Sequence, residues 1–284
     1  MKHTKDNKQV ILITGCSSGI GKALAINLAT AGHSVIAGAR NAESLADILS
    51  DNLQGITLDV NNAEHINTAV EQVQADHGKL DVLVNNAGYG AMGPLAEMPM
   101  RQMQDQFETN VFAPMSMVQR FLPLLRRSSN AQIVNIGSCA GITPTPFSGA
   151  YCASKAALHI LSEVMRMELK PLGVHVMTVY PGGVASEFGY NANSKLSDTL
   201  IDDSSYFEIV AAIEGRAQVS SKSPTTSKQF TAELGSAMFA ARPVYTKRIG
   251  HGSTLLPLMR YVMPTRLREY IMAKSFKLTD LGAQ

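Results

Sequence analysis

"VILITGCSSGIG", residues 10–21, joins a short apolar run to a turn rich in glycine. The first five residues predict a buried parallel strand, because such strands form apolar runs that a turn residue ends. Gly15, Gly19 and Gly21 then follow in a GxxxGxG spacing, and helical spacing continues to about Ala31. A glycine turn lets the backbone approach a pyrophosphate, whose charge is stabilised at a helix N-terminus. The stretch therefore predicts a strand–turn–helix unit that binds a dinucleotide, with a tight turn without ligand as the alternative.

The same alternation of strand and helix patterns continues along the chain. The apolar runs in "HSVIAGAR", "GITLDV", "LDVLVNNAG", "AQIVNIGS" and "VHVMTVYPGG" predict strands, and most of the segments between them have helical spacing. Strands that alternate with helices at this rhythm indicate βαβ units and a parallel sheet covered on both faces. The sequence therefore predicts an α/β fold.

The pattern weakens after Gly183. Residues 191–206 and 220–228 are polar and rich in turn residues, which predicts surface loops or a mobile lid. A helix near 229–241 and a strand near 245–249 are predicted to close the sheet. No linker separates two domains, and 284 residues suffice for one large α/β domain. We predict a single domain over residues 1–284, with a core at 10–250 and a C-terminal extension at 251–284.

Composition excludes several classes of protein. A hydrophobic fraction of 45% and a charged fraction of 17% are typical of a soluble globular protein. The net charge of +2 is too small to indicate nucleic-acid binding. The three cysteines have no paired spacing, so we expect no disulfide framework and no metal site. The polar start "MKHTKDNKQV" and the lack of a long apolar run predict neither signal peptide nor membrane span. We therefore predict a cytoplasmic location.

The end of the second predicted strand indicates which dinucleotide is bound. A carboxylate at this position accepts hydrogen bonds from the ribose hydroxyls of NAD, whereas a basic residue meets the additional phosphate of NADP. This chain has Ala39 and Arg40 there, and no carboxylate. The guanidinium fork suits a phosphate, and the Ser17 hydroxyl could add a contact. We predict NADP(H) as the cofactor; the alternative is a solvated arginine at a strand end.

Further motifs accompany the glycine turn. They are "NNAG" at 85–88, a lone Asn110 in a predicted helix, Ser138 at a strand end and "YCASK" at 151–155. With "TGCSSGIG", these motifs resemble the short-chain dehydrogenase/reductase family over roughly residues 10–186, with weaker family character to about 250. The resemblance implies a single doubly wound Rossmann-type domain with a seven-stranded parallel sheet, helices on both faces and a C-terminal helical extension.

The resemblance assigns catalytic roles to Asn110, Ser138, Tyr151 and Lys155. Tyr151 resembles the family's acid/base, although a free phenol, with a pKa near 10, is a poor base at neutral pH. Lys155 lies at the (i, i+4) position, on the same helix face. An ammonium about 4 Å away contributes roughly 4 kcal/mol, or about 3 pKa units, and would lower the tyrosine pKa toward neutrality. The alternative is an accidental pair on one helix face.

The same resemblance assigns roles to the other candidate site residues. Ser138 hydrogen-bonds the substrate oxygen during hydride transfer, and Asn110 holds a water behind the lysine, which also binds the nicotinamide ribose. The Val184 N–H meets the carboxamide, and Ser186 stands where the family usually has threonine. The residues expected to bind the cofactor are Gly15, Ser17, Ser18, Gly19, Ile20, Gly21, Arg40, Asp59, Val60, Asn86, Ala87, Gly88, Tyr151, Lys155, Pro181, Gly182, Val184 and Ser186.

The resemblance also implies a reaction, in which NADPH reduces a carbonyl and Tyr151 donates the proton. Similarity to a branch that contains hydroxysteroid and retinol dehydrogenases, acyl-dihydroxyacetone-phosphate reductases and aldehyde reductases predicts an apolar aldehyde or ketone as substrate. The alternatives are an NADP-dependent alcohol dehydrogenase and a non-catalytic protein that senses NADPH. Family members associate through the helices that bear Asn110 and Tyr151, so we predict a homodimer or homotetramer.

Two features of the sequence each have more than one interpretation. The C-terminal stretch at 254–278 is apolar and basic, so it could cap an apolar substrate site, contact a membrane surface, or pack on the protein as a solvated helix. Cys139 and Cys152 neighbour the predicted catalytic serine and tyrosine. They could form a redox switch, or they could be small buried residues.

Overall fold

A computed structural model describes residues 8–185, 204–218 and 225–281 of the chain. Its centre is a seven-stranded sheet in the order β3-β2-β1-β4-β5-β6-β7, with every neighbouring pair parallel. The strands are β1 Val10–Thr14, β2 Ser34–Ala39, β3 Leu53–Thr57, β4 Val82–Asn85, β5 Gln132–Ile136, β6 His175–Pro181 and β7 Thr246–Ile249. This architecture confirms the predicted α/β class and the doubly wound parallel sheet.

Helices connect the strands and continue past the last of them. They are α1 Gly19–Thr30, α2 Ala63–His77, α3 Met100–Phe107, α4 Ala113–Leu125, α5 Gly149–Leu169, α6 Val210–Gln218, α7 Ser227–Met238, α8 Leu255–Val262 and α9 Thr265–Ser275. Short 3-10 segments occupy Ala42–Ile48, Cys139–Gly141, Lys170–Leu172, Phe207–Ile209 and Leu278–Asp280. A π-helical turn, Glu108–Phe112, joins α3 to α4. None of the described helices has an apolar stretch long enough to cross a bilayer.

Two apolar cores lie on opposite faces of the sheet. Alternate residues of β1 face each of them: Ile11 and Ile13 join the core that α1 and α7 cover, whereas Val10 and Leu12 join the core that α2, α4 and α5 cover. Successive side chains of a strand point to opposite faces of the sheet, so a strand with helices on both faces is apolar at every position. This explains why the strands appear in the sequence as continuous apolar runs.

The strand order reverses between β1 and β4. In doubly wound sheets a crevice opens at the carboxyl ends of the strands where the order reverses, and ligands bind there. The residues that follow β1, β4, β5 and β6 all lie at this edge. The fold therefore brings the glycine turn, "NNAG", Ser138 and the segment after Pro181 to one place.

The end of the C-terminal extension packs beside the helix that carries Tyr151. Phe276 belongs to a buried cluster with Met92, Phe147, Ile209 and Ile213, where Met272 and Leu278 also pack. We call this group the lid cluster, because α6 and the end of α9 cover Phe147 there. In contrast, α8 leaves large apolar side chains exposed, namely Leu255, Leu258, Tyr261 and Val262. Contact with a membrane surface stays a prediction.

Candidate active site

The glycine turn approaches its neighbours closely. Gly15 has φ +71° and Gly19 has φ +59°, values that favour glycine. A Cβ on Gly15 would lie 2.8 Å from the Ala87 Cα, and a Cβ on Gly21 would overlap the Gly15 carbonyl. Ser18 begins α1 in an extended conformation, but its side chain caps none of the first N–H groups. A helix N-terminus approached by bare backbone fits the pyrophosphate of a dinucleotide.

Thr14 and Asn86 fix the turn to the end of β4. The Asn86 side chain donates to the Thr14 carbonyl at 2.8 Å and to the Gly15 carbonyl at 3.0 Å. In return, the Thr14 hydroxyl accepts from the backbone N–H groups of Asn86 at 3.0 Å and Ala87 at 2.9 Å. Sequence analysis assigned no role to Thr14. Its only signal was its position between a strand and the first glycine.

The adenosine side of the predicted cofactor site is formed by the ends of β2 and β3. Arg40 directly follows β2 and is exposed, and Val60, beyond the end of β3, is buried. The Asp59 carboxylate accepts from the Asn61 N–H at 3.0 Å. Because β2 lies next to β1, Arg40 belongs to the same sheet edge as the glycine turn.

The nicotinamide side of the predicted site follows β6. Pro181 and Val184 are buried, and the Gly182 N–H donates to the Ile249 carbonyl at 2.8 Å. A Cβ on Gly182 would overlap the carbonyl of His251, so glycine is required for this close approach. Ser186, the last predicted cofactor contact, lies outside the described residues.

Ser138 and Tyr151 meet at the carboxyl edge of the sheet. Ser138 follows β5, and its side chain lies close enough to the Tyr151 phenol, in the first turn of α5, to favour the phenolate and oppose the rise of the Tyr151 pKa. The Ser138 hydroxyl also accepts from the Ala140 N–H at 3.1 Å. Both residues are buried. The structure thus brings together the two side chains that would bind a carbonyl oxygen.

Asn110 and Lys155 form a second group next to this pair. Asn110 lies in the π-helical turn, a feature frequent at functional sites, and its amide donates to the Ser154 hydroxyl at 3.1 Å. A Cβ on Gly88 would lie 2.9 Å from the Asn110 Oδ1 and 3.6 Å from the Lys155 Nζ. The Lys155 amine donates to the Ile136 carbonyl at 2.7 Å. The predicted catalytic residues therefore come from α5, the π-helical turn and the residues that follow β5.

The electrostatics of the site differ from the expectation based on helical spacing. Burial raises the pKa of Tyr151, and the nearby Ser138 hydroxyl and the Arg216 charge oppose this rise. The shift is thus opposite to the lowering expected from the Lys155 charge. Burial also lowers the pKa of Lys155 to about 8. Helical spacing places both side chains on one face, but a surrounding of low polarity disfavours the phenolate and the ammonium alike.

His159 and Arg216 also belong to the site, although sequence analysis missed them. His159 lies one turn after Lys155, and its Nε2 accepts from the Ser138 N–H at 3.2 Å. Burial, together with the Lys155 charge, lowers the pKa of His159 to about 3, so the ring is neutral. In the sequence, the only indication of a role for His159 is its (i, i+4) spacing from Lys155. Arg216 lies on α6, far along the chain, and had no local signal.

The three cysteines are free and buried. Cys139 directly follows Ser138, and burial raises the pKa of its thiol. The thiol is the less reactive form of cysteine, so this environment opposes oxidation. In the described parts of the chain, no three His, Cys, Asp or Glu side chains form a group that could hold a metal ion.

The chain is similar to known proteins in both sequence and fold. Residues 9–197 match a family model described as short chain dehydrogenase. The uncharacterized oxidoreductase YusZ of Bacillus subtilis is 32% identical over 278 residues, which cover 94% of this chain and 98% of YusZ. A short-chain dehydrogenase from Streptomyces avermitilis has a TM-score of 0.78 at 28% identity, covering 99% of this chain and 100% of its own.

Two similar structures contain a dinucleotide. A metagenomic short-chain oxidoreductase in complex with NADP is 34% identical, with a TM-score of 0.58 over 61% of this chain and 82% of its own. A short-chain dehydrogenase/reductase from Burkholderia phymatum in complex with NAD is 25% identical, with a TM-score of 0.75 over 89% and 92%. Together with the family match and the sheet topology, these similarities show that the chain is an oxidoreductase of the short-chain dehydrogenase/reductase family.

Proposed function

We propose that this protein is an NADPH-dependent carbonyl reductase, which converts an apolar aldehyde or ketone to the alcohol. The observation that carries the proposal is the juxtaposition of the buried Ser138 and Tyr151 side chains at the carboxyl edge of the sheet. This pair supplies a proton and a hydrogen bond to one oxygen. A panel of carbonyl compounds, assayed by the loss of NADPH absorbance, tests the proposal. Turnover of small polar sugars without turnover of aliphatic aldehydes would contradict the substrate class.

The chemistry requires a hydride and a proton. NADP(H), when bound, supplies the hydride to the carbonyl carbon. Tyr151 donates its proton to the carbonyl oxygen, and its raised pKa keeps the phenol in the protonated form that an acid needs. The Ser138 hydroxyl hydrogen-bonds the same oxygen as negative charge develops on it. We assign the return of the proton to Lys155 and Asn110, whose side chains both lie near Gly88.

An apolar substrate is supported by the surroundings of Tyr151. Phe147, four positions before the tyrosine, belongs to the lid cluster together with Met92, Ile213 and Phe276. A surface next to this cluster would bind an alkyl or ring portion through the removal of apolar area from water. The C-terminal extension contributes to this cluster, which supports the first of its three predicted roles.

Arg40 is proposed to select NADP(H) over NAD(H), and Arg40→Asp tests the selection. We expect kcat/KM for NADPH to fall about 10- to 100-fold, because a charge-assisted contact to the phosphate is lost and a repulsive one is introduced. With NADH, kcat/KM should be unchanged or higher, because a carboxylate can bind the ribose hydroxyls. Steady-state kinetics with both cofactors give the ratio of kcat/KM for NADPH to kcat/KM for NADH. The control is Arg242→Asp, at an exposed position. A ratio in Arg40→Asp that equals that of the parent chain would contradict the assignment.

We further propose that the chain forms a homo-oligomer through the outer face of α5. Ile160, Val164 and Met167 form a stripe on this helix and are 61%, 39% and 67% exposed, and Phe112 is 54% exposed. Large apolar residues at this spacing on one face are typical of a contact surface.

The variant Met167→Glu tests this contact surface. We expect it to convert the dimer or tetramer to a monomer at micromolar concentration, because a buried carboxylate without partner opposes association. Analytical ultracentrifugation measures the mass, and Arg242→Glu is the control for the change in charge. An unchanged mass for Met167→Glu would exclude this face as the interface.

A further inference from the structure

Arg216 contacts the loop that precedes the helix of Tyr151. Its Nε donates to the Thr145 hydroxyl at 3.0 Å, and a terminal nitrogen donates to the Ser148 hydroxyl at 3.2 Å. Ser148 directly precedes α5, three positions before Tyr151. The Arg216 charge is close enough to lower the pKa of Tyr151. A cation is therefore held by the loop that leads into the helix of Tyr151.

Within the described residues, the side chains that Arg216 hydrogen-bonds carry no compensating charge, because both are neutral hydroxyls. The ionisable groups that face the guanidinium are Tyr151, Cys139 and Cys152, and burial raises the pKa values of Tyr151 and Cys139. A guanidinium has five N–H donors, and two of them donate to described residues. Arg216 is partly exposed, so the remaining donors are accessible to a ligand, and a positive charge with spare donors favours an anion.

The loop that holds Arg216 is fixed around it. Thr145 and Ser148 hydrogen-bond each other at 2.8 Å and both accept from the guanidinium. Phe147, between them, has φ +60°, a strained conformation for a residue other than glycine. Its buried ring packs edge-on against Tyr206 and Phe276. Because packing fixes both the loop and α6, the remaining N–H donors of the guanidinium are preorganised for a ligand.

We propose that Arg216 binds an anionic oxygen group of the substrate, a carboxylate or a phosphate, located near the carbonyl that Tyr151 protonates. The inference rests on the proposed carbonyl reduction and names the substrate class: an amphipathic carbonyl compound whose anion binds Arg216 and whose apolar portion lies on the surface next to the lid cluster. The planar fork of a guanidinium binds both groups through paired hydrogen bonds.

The cofactor phosphates are not the ligand of this site. The glycine turn expected to hold the pyrophosphate follows β1 and contacts Asn86 and Ala87. Arg216 instead contacts the loop that precedes α5. The glycine turn and Arg216 thus lie at different connections of the sheet, and Arg216 contacts the loop three residues before Tyr151.

Matched pairs of substrates test the inference. One pair is 2-oxooctanoate and its methyl ester; the other is a 1-hydroxy-2-alkanone phosphate and the unphosphorylated alcohol. We expect the parent enzyme with NADPH to prefer the anionic member of one pair about 10- to 100-fold in kcat/KM. Arg216→Met should remove this preference, whereas Arg216→Lys should retain part of it, and Arg242→Met should retain it all. The pair that shows the preference distinguishes a carboxylate from a phosphate.

A binding measurement separates this inference from the proposed function. Calorimetric titration of the enzyme–NADPH complex with octanoate and with an alkyl phosphate should show binding that Arg216→Met abolishes, while NADPH affinity is unchanged. Binding without turnover of any carbonyl would overturn the proposed reduction and support the anion site. Equal kcat/KM within both pairs in the parent enzyme would overturn the anion site, as would an equal loss on both members in Arg216→Met.

Discussion

Tyr151→Phe is expected to lower kcat for carbonyl reduction by roughly 10²- to 10⁴-fold, the range that a positioned acid contributes. The phenylalanine retains the ring that packs in the buried site but has no proton to donate. Because the glycine turn and the segment after β6 are unchanged, the affinity for NADPH should remain that of the parent. Single-turnover kinetics measure the chemical step, and fluorescence titration measures cofactor binding.

The outcome has a matched control in Tyr261→Phe, which removes the hydroxyl of a side chain that is 76% exposed. That variant should keep the full kcat. Thermal denaturation of Tyr151→Phe, with and without NADPH, checks that its fold persists, since the substitution removes a buried hydroxyl next to Ser138. A kcat close to that of the parent would remove Tyr151 from its assigned role.

Local patterns were sufficient to predict the sheet and the glycine turn. A buried parallel strand is an apolar run, and a turn that must approach other backbone needs glycine, so both are visible in a short window. The 3-10 segment at Ala42–Ile48 shows the limit of that approach. Its sequence suggests an α-helix, but Asn41 caps the N–H of Glu43 and the segment is short. Propensity alone does not decide between these two helix types.

The site could be predicted only where its residues form a contiguous motif or match the spacing of a family. Asn110 in a π-helical turn and Arg216 on a helix after β6 reach the site through the tertiary fold, which no local pattern specifies. The pKa of Tyr151 is a similar case. The (i, i+4) spacing places Tyr151 and Lys155 on one helix face. The direction of the pKa shift depends instead on burial and on the position of the Lys155 amine, which donates to the Ile136 carbonyl.

Lys155→Met provides the second large effect and separates two roles of the lysine. If the amine acts through Tyr151, its loss should lower kcat by roughly 10²- to 10³-fold, because the phenol then regains its proton more slowly and in a less polar surrounding. If the amine also binds the nicotinamide ribose, the dissociation constant of NADPH should rise about 10-fold. The exposed Lys170→Met should change neither quantity.

The double variant Tyr151→Phe/Lys155→Met decides whether the two residues act as one unit. Effects of residues that share one function are not additive, so the double variant should have nearly the kcat of Tyr151→Phe alone. Its NADPH affinity should match that of Lys155→Met, because ribose binding does not need the phenol hydroxyl. Losses in kcat that multiply would show that Lys155 contributes independently of Tyr151. The helix would then carry two separate catalytic groups, and the hydrogen bond to Ile136 would hold the amine for contact with the cofactor rather than for the proton path.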